Sequence, residues 1–418
     1  MALERKMDYQ CNKCTESQHS KPQPLNIVLV NTHRFFNVKG GVEKVFSEMA
    51  NALSKRGHHV TVVCCDKNDG KPGFAIDESV TLINAYKEKA PFVLKLLAKN
   101  WVVNLSSLHW DTQKRKHRRV VVRSKTISRL MMHKIGSALS NQPIDVFVSF
   151  QAETTYILKL LYGDTVPIIS MFHGHIQSYP ELKVFGPFVE QSTAIQVLRP
   201  EFVSDILSLL PHATRVEVIG NAVPQTLLCS DRSSKVIICV ARVSSEKRVH
   251  LLVEAFALLR EKYPDWNLQI WGGYQSPTYT SLVESIIKKN HLESCVKLCG
   301  LTDHVEEKLM NASIFAFPSK TEGFPLSLTE AMAFSLPSVG CKKCPSVNSL
   351  IRDGINGLLC EDTPESLAEG LSKLMSNEAL RIRLGDQAKQ DMKSFAPDEI
   401  WGQWEKLLFS VANIDKNV

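Results

Sequence analysis

Two glutamates at a defined spacing, Glu322 and Glu330, are the residues of this chain that most directly suggest chemistry. Glu322 follows an apolar run, 314–317, that predicts a buried strand, and Glu330 falls two turns into a helix that we expect to begin at Pro325. Open parallel sheets bind ligands at the carboxyl ends of their strands. Two carboxylates at such an edge can hold sugar hydroxyl groups, whereas the alternative is a helix N-terminus that carries favourable acidic residues.

The backbone between the two glutamates is a second candidate for ligand binding. Glycine at position 323 lets a ligand approach the main chain closely, and the N–H groups at the start of a helix have no partner inside it. Such groups hold hydroxyl or phosphate oxygens. We therefore expect the backbone from Gly323 to Leu326 to bind such oxygens of a ligand.

A cationic pair, Arg242 and Lys247, follows another strand-like run that begins at Lys235. A helical pattern with one apolar side comes next, over 250–259. Helix N-termini favour negative charge through the helix dipole, so two cations at this position indicate a polyanion bound between them. The alternative is a pair of ordinary surface charges that face water.

Two shorter patterns lie in the first half of the chain. Gly40 and Gly41 separate a buried strand, which begins at Leu25, from a helical pattern. That arrangement presents a helix N-terminus to a phosphate, or it serves only the packing of the helix. His173 follows a strand predicted at 166–171 and can bond to a sugar there, although most single histidines are structural.

Predicted strands and helices alternate along the chain, which is the pattern of parallel, doubly wound sheets. A polar stretch at 220–234 predicts a linker between two such sheets. The first sheet is predicted to contain strands at 25–31, 59–64, 80–84, 144–149, 166–171, 194–198 and 216–219. The second is predicted to contain strands at 235–241, 267–271, 296–299, 314–317 and 337–340.

These motifs resemble those of the family-4 retaining glycosyltransferases of GT-B fold, and the resemblance spans about residues 25 to 411. Glu322 to Glu330 is similar to the acidic-x7-acidic signature of that family, Arg242 and Lys247 match its diphosphate clamp, and Gly40 begins a match to its opening Gly-Gly motif. The chain departs from the family at Ala241 and at Ala222, where Gly is common. The resemblance implies an α/β protein in which two Rossmann-like domains face each other across a cleft.

The resemblance also implies a role for each motif residue. Glu322 would hold the transferred sugar, Glu330 the nucleotide ribose, and the glycines at 40 and 41 would face the diphosphate and acceptor. The implied catalytic residues are His173, Arg242, Lys247 and Glu322. The implied donor-binding residues are Gly40, Gly41, Gly323, Phe324, Pro325, Leu326 and Glu330. No Asp-x-Asp metal motif occurs in the sequence, so we expect neither a metal nor another cofactor besides the nucleotide sugar.

Domain boundaries follow from the same patterns. We expect a disordered tail at 1–24 and two sheet domains at 25–225 and 226–394. The resemblance implies that the first is the acceptor-side domain and the second the nucleotide-sugar domain. Apolar residues at helical spacing within 395–418 predict a last helix, and the resemblance implies that this helix crosses back to the first domain.

The composition is that of a globular chain of 418 residues, with 44% hydrophobic and 22% charged residues and a net charge of +7. No apolar run approaches the roughly 18 residues of a spanning helix, so we expect a cytoplasmic protein with reduced cysteines. The charge favours anionic ligands or a membrane surface and does not require nucleic acid. Two Cys-x-x-Cys pairs, Cys11/Cys14 and Cys341/Cys344, offer zinc ligands, but we expect no zinc site because the first lies in the polar tail.

Residues 91–134 combine a Trp-containing apolar stretch with a run of basic residues. Tryptophan is stable at headgroup depth and cations are attracted to anionic lipid, so the segment predicts peripheral contact with the inner face of a membrane. A core helix followed by a solvated basic loop is the alternative.

The resemblance therefore implies a retaining, metal-independent hexosyltransferase of polysaccharide biosynthesis, similar to bacterial enzymes that build surface glycans. It would move a hexose or N-acetylhexosamine from a nucleotide sugar, UDP-linked, to a growing, lipid-linked glycan. The alternatives are a nucleotide-sugar epimerase or a phosphorylase of the same fold, and a catalytically silent sugar-binding protein.

Overall fold

A computed structural model describes residues 23–89, 129–175 and 179–412 of the chain. The predicted tail at 1–24 and the predicted membrane segment at 91–134 therefore lie mostly outside the described residues, as does Cys11/Cys14. In the described residues the chain forms two sheets with every strand pair parallel, one of seven strands and one of six.

The first sheet has the strand order β3-β2-β1-β4-β5-β6-β7. Its strands are β1 (Asn26–Asn31), β2 (His59–Cys64), β3 (Thr81–Asn84), β4 (Val146–Ser149), β5 (Ile168–Met171), β6 (Ala194–Val197) and β7 (Val216–Val218). The order reverses between β1 and β4, which is the topological switch point where sheets of this kind bind ligands.

The second sheet has the order β10-β9-β8-β11-β12-β13 and reverses between β8 and β11. Its strands are β8 (Val236–Val240), β9 (Asn267–Trp271), β10 (Val296–Gly300), β11 (Ile314–Phe317), β12 (Ser338–Cys341) and β13 (Gly357–Cys360).

Helices connect the strands. In the first half they are α1 (Gly41–Lys55), α2 (129–139), α3 (Ala152–Tyr162), α4 (Leu182–Val189) and α5 (Glu201–Leu209). In the second they are α6 (Val249–Ala257), α7 (Pro277–Lys289), α8 (Val305–Met310), α9 (Leu326–Ala333), α10 (Pro345–Asn348), α11 (Pro364–Met375), α12 (Glu378–Asp391) and α13 (Pro397–Ala412). Short 3₁₀ turns occupy Ala85–Lys87 and Met392–Phe395.

Each sheet is buried on both faces, which explains why its strands read as continuous apolar runs. In β1, Ile27 and Leu29 enter one core cluster, while Val28 and Val30 enter another on the opposite face. The strands of the second sheet divide in the same way. One of the second sheet's clusters also contains Phe172 of the first half, so an apolar core continues across the junction of the two halves.

The chain passes between the two halves twice, and the two passages lie side by side. The N–H of Val223 in the first donates to the carbonyl of Phe395 in the second, at 2.8 Å. After the second passage α13 packs against the first sheet, with Trp404 buried in its core. Glu405 on the same helix accepts hydrogen bonds from Arg56 and His58, each at 3.1 Å.

The predicted fold class is confirmed, since two parallel α/β sheets are present. Two local predictions need correction. Pro325 is the N-cap of α9 and the helix begins at Leu326, because ψ of Pro325 is 86° and therefore not helical. Strand β13 was not among the predicted strands, although it completes the edge of the second sheet.

Candidate active site

The two halves approach each other at the carboxyl ends of their strands, and glycines lie at two of the contacts between them. A Cβ atom on Gly323 would lie 2.1 Å from the carbonyl oxygen of His173, so only glycine fits at this position. A Cβ on Gly41 would lie 3.5 Å from Leu326. The N-termini of α1 and α9 therefore lie close to each other, and the first N–H groups of a helix have no partner inside it.

Glu322 and Lys247 form an ion pair at the end of β11. Their side chains are only 10% and 17% exposed, respectively, and the ammonium lies 5.7 Å from the ring centre of Phe317. Ser346 of α10 stabilises the loop that follows β11, because its hydroxyl lies 2.8 Å from the carbonyl oxygens of both Glu322 and Gly323. The structure thus brings together a carboxylate and a cation that are 75 residues apart in the sequence.

Arg242, the other member of the predicted clamp, is exposed. Throughout the described part of the chain, no hydrogen bond or ion pair engages its guanidinium. The loop that carries it is fixed at its far end, where the N–H groups of Lys247 and Arg248 both donate to the carbonyl of Ser244. Arg242 is therefore a cation available to an anionic ligand, whereas Lys247 is already paired.

Glu330 forms an ion pair with Lys44 of α1, which lies across the cleft. Burial tends to lower the pKa of Lys44, but the carboxylates of Glu330 and Glu48 raise it above its ordinary value. Burial raises the pKa of Glu48 to about 7 despite the Lys44 ammonium at 3.8 Å, and the Glu330 carboxylate adds to the increase. Sequence reasoning did not find Lys44, because its partner is 286 residues away in the chain.

His173 stacks on Phe150, with ring centres 4.9 Å apart and an interplanar angle of 23°. Its Nε2 atom is buried and has no hydrogen-bond partner among the described residues. Burial lowers the pKa of His173 to about 4, so the imidazole is neutral near pH 7. A buried, unpartnered ring nitrogen is costly unless something binds it, and a sugar hydroxyl is a suitable partner.

The predicted donor-binding segment, residues 323–326, offers backbone groups and not the Phe324 ring. The ring of Phe324 is buried against Phe395, with centres 5.3 Å apart, and is not available to a ligand. The carbonyl of Pro325 accepts from the N–H groups of Leu328 and Thr329, each at 3.0 Å. Among the described residues, no acceptor engages the N–H groups of Gly323, Phe324 and Leu326.

Most predicted site residues therefore lie together at the cleft. Glu322 pairs with Lys247, and Gly323 lies on the backbone of His173. Gly40 is the N-cap of α1, one residue before Gly41, which contacts Leu326. Arg242 belongs to the same loop as Lys247 but forms no hydrogen bond or ion pair with the others among the described residues, and the role of each residue stays a prediction.

Two absences hold for the described residues. No group of three or more His, Cys, Asp or Glu side chains there has an arrangement that suits a metal ion. Cys341 and Cys344, the second of the two Cys-x-x-Cys pairs, are buried, and burial raises the pKa of each thiol to about 12. No described helix has the length and apolar character needed to cross a membrane.

Sequence comparison places the chain in a class. The family model for Glycosyltransferase Family 4 matches residues 39–226, and the model for Glycosyl transferases group 1 matches residues 229–391. The chain therefore belongs to the family-4 glycosyltransferases of GT-B type, and it is a glycosyltransferase enzyme.

Individual relatives cover nearly the whole chain. An uncharacterized glycosyltransferase of Haemophilus influenzae is 26% identical over 375 residues, which are 88% of this chain and 96% of that protein. A Campylobacter jejuni relative, GalNAc-alpha-(1->4)-GalNAc-alpha-(1->3)-diNAcBac-PP-undecaprenol alpha-1,4-N-acetyl-D-galactosaminyltransferase, is 25% identical over 390 residues, 90% of this chain and 96% of that protein.

Solved structures share the fold at low sequence identity. Sucrose-phosphate synthase from Thermosynechococcus elongatus has a TM-score of 0.73 at 16% identity and covers 92% of this chain and 99% of its own. Anabaena HepE in complex with UDP and glucose has a TM-score of 0.67 at 15% identity and covers 92% of this chain and 100% of its own. These similarities identify the GT-B fold.

Proposed function

We propose that this enzyme is a retaining, metal-independent glycosyltransferase that moves a hexose or N-acetylhexosamine from a UDP-sugar to a growing glycan. The observation that carries the proposal is the cleft arrangement in which Glu322 and Lys247 are paired directly beside the backbone of His173. A sugar-binding carboxylate, a cation for the leaving diphosphate and a neutral imidazole are thereby held within one site.

The cations act on the leaving group. As the bond between the sugar C1 and the diphosphate oxygen breaks, negative charge grows on the diphosphate. Lys247 is held in place by Glu322, and Arg242 is exposed at the same loop, so both can stabilise that charge without a metal. Backbone N–H groups at the start of α9 add further donors.

The Lys247 contact also bears on stereochemistry. A carboxylate that is paired with an ammonium is a weakened nucleophile, so we assign Glu322 to the sugar hydroxyls and not to a covalent intermediate. The acceptor oxygen then attacks C1 on the face from which the diphosphate leaves, and its proton passes to the departing phosphate oxygen. The product keeps the donor's anomeric configuration.

His173 contributes as a neutral group. Its low pKa keeps the imidazole uncharged at pH 7, and the unpartnered Nε2 can form a hydrogen bond with a hydroxyl of the transferred sugar. Glu330 would hold the ribose hydroxyls with the oxygen that Lys44 leaves free.

Two relatives support the substrate part of the proposal. The name of the Campylobacter jejuni enzyme specifies a sugar chain on undecaprenol, and HepE is described in complex with UDP and glucose. We therefore propose a lipid-linked acceptor, a place in polysaccharide biosynthesis, and peripheral contact with the inner face of the membrane through residues 91–134. Binding to anionic but not neutral vesicles, weakened by salt, is the expected result for this contact; equal binding to both would contradict it.

The main test is a transfer assay in excess chelator. Purified enzyme is supplied with single UDP-sugars and a short polyprenyl-diphosphate sugar, and the product anomer is read by NMR. We expect transfer with retained configuration. An inverted product would refute the mechanism, a need for added manganese or magnesium would refute metal independence, and epimerised UDP-sugar without transfer would indicate an epimerase.

A further inference from the structure

Arg248 has no part in the site described above, yet its backbone and side chain are both unusual. It is the N-cap of α6 with φ 49° and ψ 37°, the left-handed region that disfavours any residue with a Cβ. Strain of this kind persists only where surrounding contacts impose it, and it is concentrated at functional sites.

The guanidinium of Arg248 makes three hydrogen bonds to two other loops. Its Nε donates to the carbonyl of Pro318 at 2.8 Å, one Nη donates to the carbonyl of Ser319 at 3.0 Å, and the other donates to the Asp362 carboxylate at 2.7 Å. The side chains of Arg248 and Asp362 are largely buried, at 11% and 17% exposed. One side chain therefore joins the loop after β8 to the loops after β11 and β13.

Two of those loops, after β8 and β11, carry the charged pair of the candidate active site. Lys247 directly precedes Arg248, and Glu322 follows Ser319 by three residues. A backbone hydrogen bond from the N–H of Lys320 to the carbonyl of Glu246, at 2.9 Å, joins the same two loops. The left-handed backbone allows consecutive side chains to diverge, so that Lys247 reaches Glu322 while Arg248 reaches the carbonyls of the β11 loop.

We infer that Arg248 is a positioning residue that holds the Lys247 loop against the Glu322 loop, so that both charges keep the arrangement needed in the transition state. The inference rests on the proposed function, because it assumes that Lys247 and Glu322 act on the donor. A buried ion pair with Asp362 that serves stability alone is the competing explanation.

The test uses Arg248→Gly, which removes the guanidinium and also relieves the left-handed strain. We expect kcat, measured well below the unfolding temperature, to fall by about tenfold to a hundredfold, the effect of a displacement of about 1 Å in a catalytic group. The donor KM should stay within about threefold, because the loss concerns the transition state. Millimolar methylguanidinium should restore part of the lost kcat by occupying the vacated position.

Two controls separate positioning from stability. Arg248→Lys keeps the charge but cannot bond three acceptors in a fixed fork, and it should remain slow and insensitive to methylguanidinium. His291→Gly relieves the same kind of strain, φ 53°, in an exposed turn of the same half, and it should leave kcat unchanged. A kcat of Arg248→Gly within twofold of the parent, or a loss that methylguanidinium fails to reverse, would overturn the inference.

The same assay separates this inference from the proposed function. If Lys247→Ala and Glu322→Gln both turn over at the parent rate, the site assignment fails, and the Arg248 role fails with it. If those two variants are slow while Arg248→Gly is not, the site assignment stands and only the positioning role is wrong.

Discussion

The ion pair between Lys247 and Glu322 can be broken with Lys247→Met, which keeps the apolar stem and removes the charge. Both side chains are mostly buried, so the change leaves the Glu322 carboxylate without a counter-ion where water solvates it poorly. Breaking one partner of a fully buried pair costs about 3 to 5 kcal/mol. Because this pair retains some exposure, we expect a loss of about 2 to 3 kcal/mol in the free energy of unfolding.

The double variant Lys247→Met/Glu322→Gln should be more stable than the single one. Removing the unpaired charge replaces a stranded carboxylate with a neutral amide of nearly the same shape, so about 1 to 2 kcal/mol should return. In thermal unfolding, 1 kcal/mol corresponds to about 2 to 4 °C for a domain of this size. Transfer activity should not return, because both charged groups are missing from the site.

A matched control comes from an exposed pair in the same half of the protein. Lys235 and Asp265 are 2.9 Å apart, but their side chains are 54% and 70% exposed. Lys235→Met should therefore change stability by less than about 0.5 kcal/mol. The reasoning is refuted if Lys247→Met costs no more than this control, or if the double variant is no more stable than the single one.

Three further changes test other contacts. Lys44→Met should raise the donor KM at least about threefold because it frees Glu330 to reorient. The control Lys39→Met breaks an exposed contact with Asp303 and should leave the donor KM within about twofold of the parent value. Equal KM values for the two variants in steady-state assays would contradict the role of Lys44. Burial raises the pKa of Glu48 from 4.5 to about 7, so its stabilising contribution is full below pH 4.5 and is lost as pH rises through 7. Relative to Glu48→Gln, the parent should lose about 1 kcal/mol between pH 5 and pH 8, after a discount for 35% exposure, and denaturant titrations that run parallel would disprove this. Trp404→Ala should cost about 3 to 5 kcal/mol in the unfolding of the first half, measured by calorimetry, and a loss below 1 kcal/mol would be inconsistent with its burial.

The strands and the fold class could be predicted from sequence because strands of a parallel sheet that is buried on both faces have continuous apolar sequences. The run at 314–317, for example, coincides with β11. Strand β13 was missed because Gly357–Cys360 begins with a glycine, which sequence reasoning associates with turns. Without β13, the edge of the second sheet could not be placed.

The site was only partly predictable, since motifs reveal which residues lie at strand ends but not what they touch. Lys44 and Ser346 both contact predicted glutamates, yet Lys44 lies 286 residues from Glu330 and Ser346 lies 24 residues from Glu322, each on another element. The left-handed backbone of Arg248 leaves no mark in composition or periodicity, because arginine is not a residue that favours it. Such contacts emerge only from the folded arrangement of loops.

The position of α13 has a consequence for biosynthesis. A chain leaves the ribosome from its N-terminus, and domains usually fold in that order. Here the core around β1 lacks Trp404 until α13 has been made, whereas the sheet from β8 to β13 is complete before α13 emerges. The second half can therefore finish folding first, and the first half stays without its final layer until α13 has left the ribosome.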